Sequence, residues 1–98
     1  MRQFNPPHPG KIIREIYLEP FKEKYSRSEI ARRLNVSKST FTRLVNEDSD
    51  ITSEMAVRLS NVLGGSAESW INLQTSYNLS KATKKLKNSN FEKIEEFA

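Results

Sequence analysis

The chain has 98 residues with 16 Lys and Arg against 12 Asp and Glu, a formal net charge of +4, and no cysteine. A chain of this length forms one domain with a modest core, burying roughly 60–70% of its unfolded surface, and the lack of cysteine excludes disulfides and thiol chemistry. No apolar run approaches the ~20 residues of a membrane span, and no signal-like hydrophobic segment opens the chain, so a cytoplasmic protein without membrane contact is expected.

Residues 1–9 read as an extended arm, because Pro6, Pro7 and Pro9 fix φ and push their predecessors out of the helical region. Pro9 suits the first turn of a helix, with His8 just outside it. That first helix covers about 10–18 and buries Ile12, Ile13, Ile16 and Tyr17 at helical spacing. His8 is the only histidine, and a lone imidazole at a helix start is expected to cap or pack rather than to hold a metal. Glu19-Pro20 interrupts the helix, and Phe21 and Tyr25 pin the connection that follows.

Residues 26–46, SRSEIARRLNVSKSTFTRLVN, read as two short helices joined by a tight turn. Ser26 with Glu29 has the spacing of a capping box, and Ile30, Ala31 and Leu34 make one buried face. Asn35-Val36-Ser37 supplies the turn, with Val36 as its apolar plug and Ser37 as the cap of the next helix. In that second helix Phe41, Leu44 and Val45 lie on one side. Ser39, Arg43 and Asn46 lie on the other, flanked by Lys38 and Thr42. Such a face holds donors for base edges and phosphates and no large apolar group, as a recognition helix in a major groove requires. An ordinary amphipathic helix with a solvated face is the competing reading, and the capped helix before it decides for a helix-turn-helix.

An acidic loop, residues 47–50, follows. Thr52 caps a fourth helix with Glu54 in its first turn and Ile51 stapled at its start. Met55, Ala56, Leu59, Val62 and Leu63 form its buried stripe, and Gly64-Gly65 ends it. Ser66 caps a fifth helix on which Trp70, Leu73 and Tyr77 fall at i, i+3 and i+7. Two readings of that aromatic surface stay open, closure of the core and a dimer interface. From Ser80 the character changes to a lysine-rich stretch and then FEKIEEFA, where Phe91, Ile94 and Phe97 recur every three residues. The end is either a frayed tail or a short amphipathic helix that orders on a partner. The expected organisation is an arm (1–9), a helix-turn-helix domain (10–79) and a C-terminal tail (80–98).

Residues 26–46 carry five basic side chains against one acid, so the excess charge of the whole chain is concentrated there and the remainder balances to zero. A neutral body with one basic patch points to a polyanionic partner. With one histidine, no cysteine and no phosphate-binding glycine loop, nothing assembles a catalytic site, and neither a metal nor a cofactor is expected.

HPGKIIREIYLEP (8–20), residues 26–46, ITSEMAVRLSNVLG (51–64) and SAESWINLQTSYNL (66–79) resemble the HigA antitoxins, also called VapI-like, within the lambda-repressor-like helix-turn-helix class. The resemblance covers about residues 8–79. It implies an all-α, five-helix DNA-binding domain that forms a homodimer on an inverted-repeat operator and represses its own operon. It also implies a partner toxin of the HigB type, an mRNA-cleaving protein of RelE-like fold. Carried over by position, Lys38, Ser39, Thr42 and Arg43 are the base-facing set, and Arg27, Thr40 and Asn46 the phosphate contacts. Relatives usually place glycine and a basic residue after the asparagine, whereas this chain has Asn46-Glu47-Asp48. Because a HigB-type toxin is basic, the acidic loop 47–50 and the acidic end Glu92–Glu96 are its expected contacts.

Overall fold

In a computed structural model that describes residues 5–97, every regular element is helical. The arm residues before Asn5 lie outside the described set. Five helices follow in chain order, α1 (Pro9–Ile12), α2 (Arg27–Leu34), α3 (Lys38–Val45), α4 (Ser53–Val62) and α5 (Ala67–Lys85). The pairs α2–α3 and α4–α5 pack on one another, α1 packs on α3 and α5, and α2 on α4. Ile13, Leu34, Phe41, Leu44, Val45 and Leu59 close the centre with almost no exposure.

Four caps turn polar residues into helix starts. The hydroxyls of Ser26, Ser37, Thr52 and Ser66 accept from the N–H groups of Glu29, Thr40, Met55 and Ser69 respectively. The reciprocal capping box forms at Ser66, where Ser69 Oγ accepts from the Ser66 N–H at 3.2 Å. It does not form at Ser26 as the spacing predicts. The Glu29 carboxylate is drawn instead along α2 to Arg32 and Arg33, both at 2.7 Å, because two guanidiniums one turn away offer a carboxylate more than one backbone N–H does.

The first helix departs from its predicted winding. His8 is the cap, its Nδ1 accepting from the Gly10 N–H at 2.9 Å, with Pro9 in the first turn. After Ile12 the chain winds as a π-helix over Ile13–Leu18, the Glu19 N–H reaching back to the Arg14 carbonyl, and closes in a 3-10 turn at Glu19–Phe21. Wider winding advances each residue through a smaller angle. Ile13 and Leu18 therefore share the buried side, while Ile16, expected in the core, stands 55% exposed. Phe21 is likewise exposed, and Tyr25 is half-buried.

Two non-glycine residues sit in the left-handed region, Asn35 at φ 60° and Glu47 at φ 66°. Asn35 makes the turn between α2 and α3, with the Val36 N–H donating to the Ala31 carbonyl at 3.1 Å. Asparagine tolerates this conformation. Glu47 does the same after α3, where its N–H bonds the Leu44 carbonyl (3.0 Å) and the Asp48 N–H the Arg43 carbonyl (2.8 Å). A glutamate there costs about 1–2 kcal/mol.

Trp70 is a correction to the dimer reading. Its ring lies 4% exposed in the core, against Tyr17 at 6.0 Å, with its indole N–H on the Gly64 carbonyl at 3.0 Å. A side chain enclosed within one copy has no surface left for a second. Leu73 and Tyr77 are half-buried, Tyr77 meeting His8 edge-on at 4.9 Å. Gln74 on the same helix is buried and accepts from the Ile51 N–H at 2.7 Å, tying α5 to the start of α4.

α5 runs unbroken to Lys85, past the position where the tail is expected to begin. Beyond it a 3-10 turn at Glu95–Phe97 replaces the amphipathic helix that the threefold spacing suggested, and Leu79, Leu86, Phe91, Ile94 and Phe97 are all exposed. The extension gives a radius of gyration of 16.7 Å, against about 13 Å for a compact chain of this length.

Candidate nucleic-acid interface

The outer face of α3 is set by what its inner face buries. Phe41, Leu44 and Val45 are within the core, which forces Lys38, Ser39, Arg43 and Asn46 outward into solvent. Thr42 is half-buried at the edge of the same face. Gly10 fixes how close α1 comes to this helix, since a Cβ on it would run into the Leu44 carbonyl oxygen. No larger residue fits between the two backbones.

At the N-terminal end of α3 a hydroxyl cluster holds the first turn. Ser37 Oγ accepts from the Thr40 N–H at 3.1 Å, donates to Thr40 Oγ1 at 2.9 Å and lies 3.2 Å from Ser39 Oγ. Thr40 is thus built into the cap rather than standing free.

The five basic residues of the motif are not all unpaired. Arg32 and Arg33 share the Glu29 carboxylate, and Arg33 also lies over the Tyr25 ring at 5.2 Å. Their hydrogen bonds hold the Glu29 carboxyl down to about 2, and Glu29 raises Arg32 in return. Among the described residues, Arg27, Lys38 and Arg43 make no side-chain hydrogen bond or ion pair to another group. The cations without an internal partner are therefore Arg27 at the start of α2 and Lys38 and Arg43 on α3.

Two arginines that sequence reasoning passed over hold the motif in place. Arg58 of α4 donates to the Leu34 carbonyl at 2.9 Å, completing the end of α2. Arg14 donates through Nη1 to the Val45 carbonyl at the end of α3 and through Nη2 to Glu47 at 3.0 Å. Neither contact has a local signal, since the partners lie 24 and 31–33 residues away.

Capped α2, an αL turn and an exposed polar face on α3, in that order, are the geometry of a DNA-reading pair of helices. The helix-turn-helix family profile matches residues 13–71. Virulence-associated protein I of Dichelobacter nodosus is 44% identical over 75 residues, covering 76% of this chain and 68% of that one. The chain belongs to the HigA/VapI-like group of helix-turn-helix proteins. A Pseudomonas aeruginosa protein solved with its 18-bp operator DNA is 34% identical, covers 94% of this chain and 98% of that one, and superposes with a TM-score of 0.83. Pseudomonas aeruginosa antitoxin HigA, solved with the higBA promoter, is 35% identical over 92% of this chain and 99% of that one, at a TM-score of 0.78. The fold is that of a DNA-binding antitoxin or regulator, and the family is not one of enzymes. Among the described residues no helix is long and apolar enough to cross a membrane.

Proposed function

We propose that the protein is the antitoxin of a type II toxin–antitoxin module, a homodimer that represses its own operon and neutralises a HigB-type toxin. The observation that carries the DNA half is the exposed donor face of α3 beside three uncompensated cations. Lys38, Ser39, Thr42 and Arg43 read base edges in the major groove, while Arg27, Asn46 and the Ser37–Thr40 cap hold phosphates. One such helix reads only a few base pairs. A twofold dimer on an inverted repeat with half-sites ~34 Å apart multiplies that reading. The surface for pairing lies on α5 and its C-cap, where Leu73 and Tyr77 keep partial exposure and Leu79 and Leu86 are exposed.

The test is a fluorescence anisotropy titration on the DNA upstream of the protein's own gene. Arg43→Ala is expected to cost roughly 1–3 kcal/mol and relax preference at one base position, whereas Arg27→Ala lowers the salt slope by about one without changing specificity. Unchanged operator affinity in Arg43→Ala would remove that face of α3 from the interface.

The toxin half is tested by co-purification with the product of the adjacent reading frame. Asp48→Ala and a chain ending at Leu86, which removes Glu92, Glu95 and Glu96, address the two acidic surfaces separately. A stand-alone repressor without a toxin is the second reading. It is favoured by relatives such as an Escherichia coli protein described only as a helix-turn-helix transcriptional regulator, 39% identical over 84 residues.

A further inference from the structure

Where α3 ends, a strained backbone position and an ion pair coincide. Glu47, at φ 66°, occupies a left-handed site whose ordinary residents are glycine and asparagine. Its carboxylate is turned onto Arg14 Nη2 at 3.0 Å, and Nη1 of the same guanidinium is bound to the Val45 carbonyl. The two side chains are 34% and 35% exposed, so both can be reached from solvent. The pair adjoins Asn46, at the end of α3 that also exposes Arg43. A glutamate thus stands in a conformation it tolerates poorly, with its carboxylate paired to a cation at the end of α3.

We propose that Glu47 is an affinity-limiting residue, holding Arg14 away from duplex phosphates so that backbone contacts alone do not give stable binding. The proposal rests on the DNA-binding reading above. A guanidinium has five N–H donors, and Arg14 uses one on Val45 and one on Glu47. It can therefore donate to a phosphate oxygen without releasing the end of α3. With Glu47 in place, that phosphate would meet a carboxylate beside the guanidinium, and the repulsion offsets the attraction. The loss is the same on every duplex, because phosphate contacts carry no sequence information, and non-cognate duplex has no matched base edges to make it good.

The experiment is an anisotropy titration of the full chain over a salt series, on a random duplex and on the duplex upstream of its own gene. The variants are Glu47→Gln, Glu47→Gly and the double variant Glu47→Gly with Arg14→Ala. Either single change is expected to tighten random-duplex binding and steepen the log–log salt slope by about 0.9, one phosphate contact, which is roughly eightfold in affinity per tenfold fall in salt. Operator binding tightens by the same factor, so the ratio of operator to random binding is unchanged. Adding Arg14→Ala returns the slope to that of the unsubstituted protein. Unchanged slope and random-duplex affinity in both single variants overturn the proposal and leave the DNA-binding reading standing. Binding of the unsubstituted protein to neither duplex overturns both. A steepened slope that survives Arg14→Ala overturns the role given to Arg14.

Discussion

Gly10 owes its identity to a neighbour 34 positions away, the Leu44 carbonyl that any Cβ would strike. Gly10→Ala is therefore expected to destabilise by about 1–3 kcal/mol, read as a fall in Tm of about 4–8 °C per kcal/mol for a domain of this size. It should also disturb operator binding, since α1 can yield only by shifting α3. Glu29 makes a different contribution. Its carboxyl, held at about 2 against an ordinary 4.5, is stabilising while ionised, so the contribution is complete above pH 4.5 and lost as pH falls toward 2. Glu29→Gln should flatten the decline of Tm across that window, measured by thermal melts at a series of pH values. The exposed, water-screened setting of the cluster keeps the effect small.

At the scale of elements, the start of α3 depends on its cap and on the turn before it. Ser37→Ala removes the only side-chain cap of that helix and is expected to cost about 0.5–2 kcal/mol, with a matching loss of operator affinity as the first turn frays. Asn35→Gly at the preceding turn should be close to neutral, whereas Asn35→Ala must force a Cβ into the left-handed region and destabilise by about 1 kcal/mol. Chemical denaturation of the two variants side by side checks the difference. The caps, the buried stripes and the polar face of α3 were legible in the sequence because each depends on spacings of three or four residues. The π-helical winding after Ile12 was not, since a periodicity reading assumes 3.6 residues per turn, and Ile16 was misplaced for that reason. Glu29 was assigned to Ser26 because spacing allows the bond, but spacing does not reveal that two arginines compete for the same carboxylate. Contacts such as Arg14 with Val45 and Gln74 with Ile51 join distant segments and have no local trace.

For the molecule as a whole, the body and its projection separate in stability. Every described side chain beyond Lys85 is exposed, so ending the chain at Leu86 should leave the unfolding free energy within about 0.5 kcal/mol of the full chain. A larger loss would mean that the segment packs on a second copy, and it would then depend on protein concentration. The charge of the motif also takes a different form at this scale. Two of its five basic residues are paired with Glu29, and Arg27, Lys38 and Arg43 are left without an internal partner.

The enclosure of Trp70 has a practical consequence. It is the only tryptophan in the chain, and its indole is shut against Tyr17 and Gly64 at the joint of α4 and α5, on elements other than the one that reads DNA. Its emission should shift to the red when the core opens and stay constant when a duplex docks on α3 as proposed. The protein thus carries an intrinsic optical gauge of folding that is blind to ligand, and with it a variant that has lost its shape can be told from one that has lost only its grip.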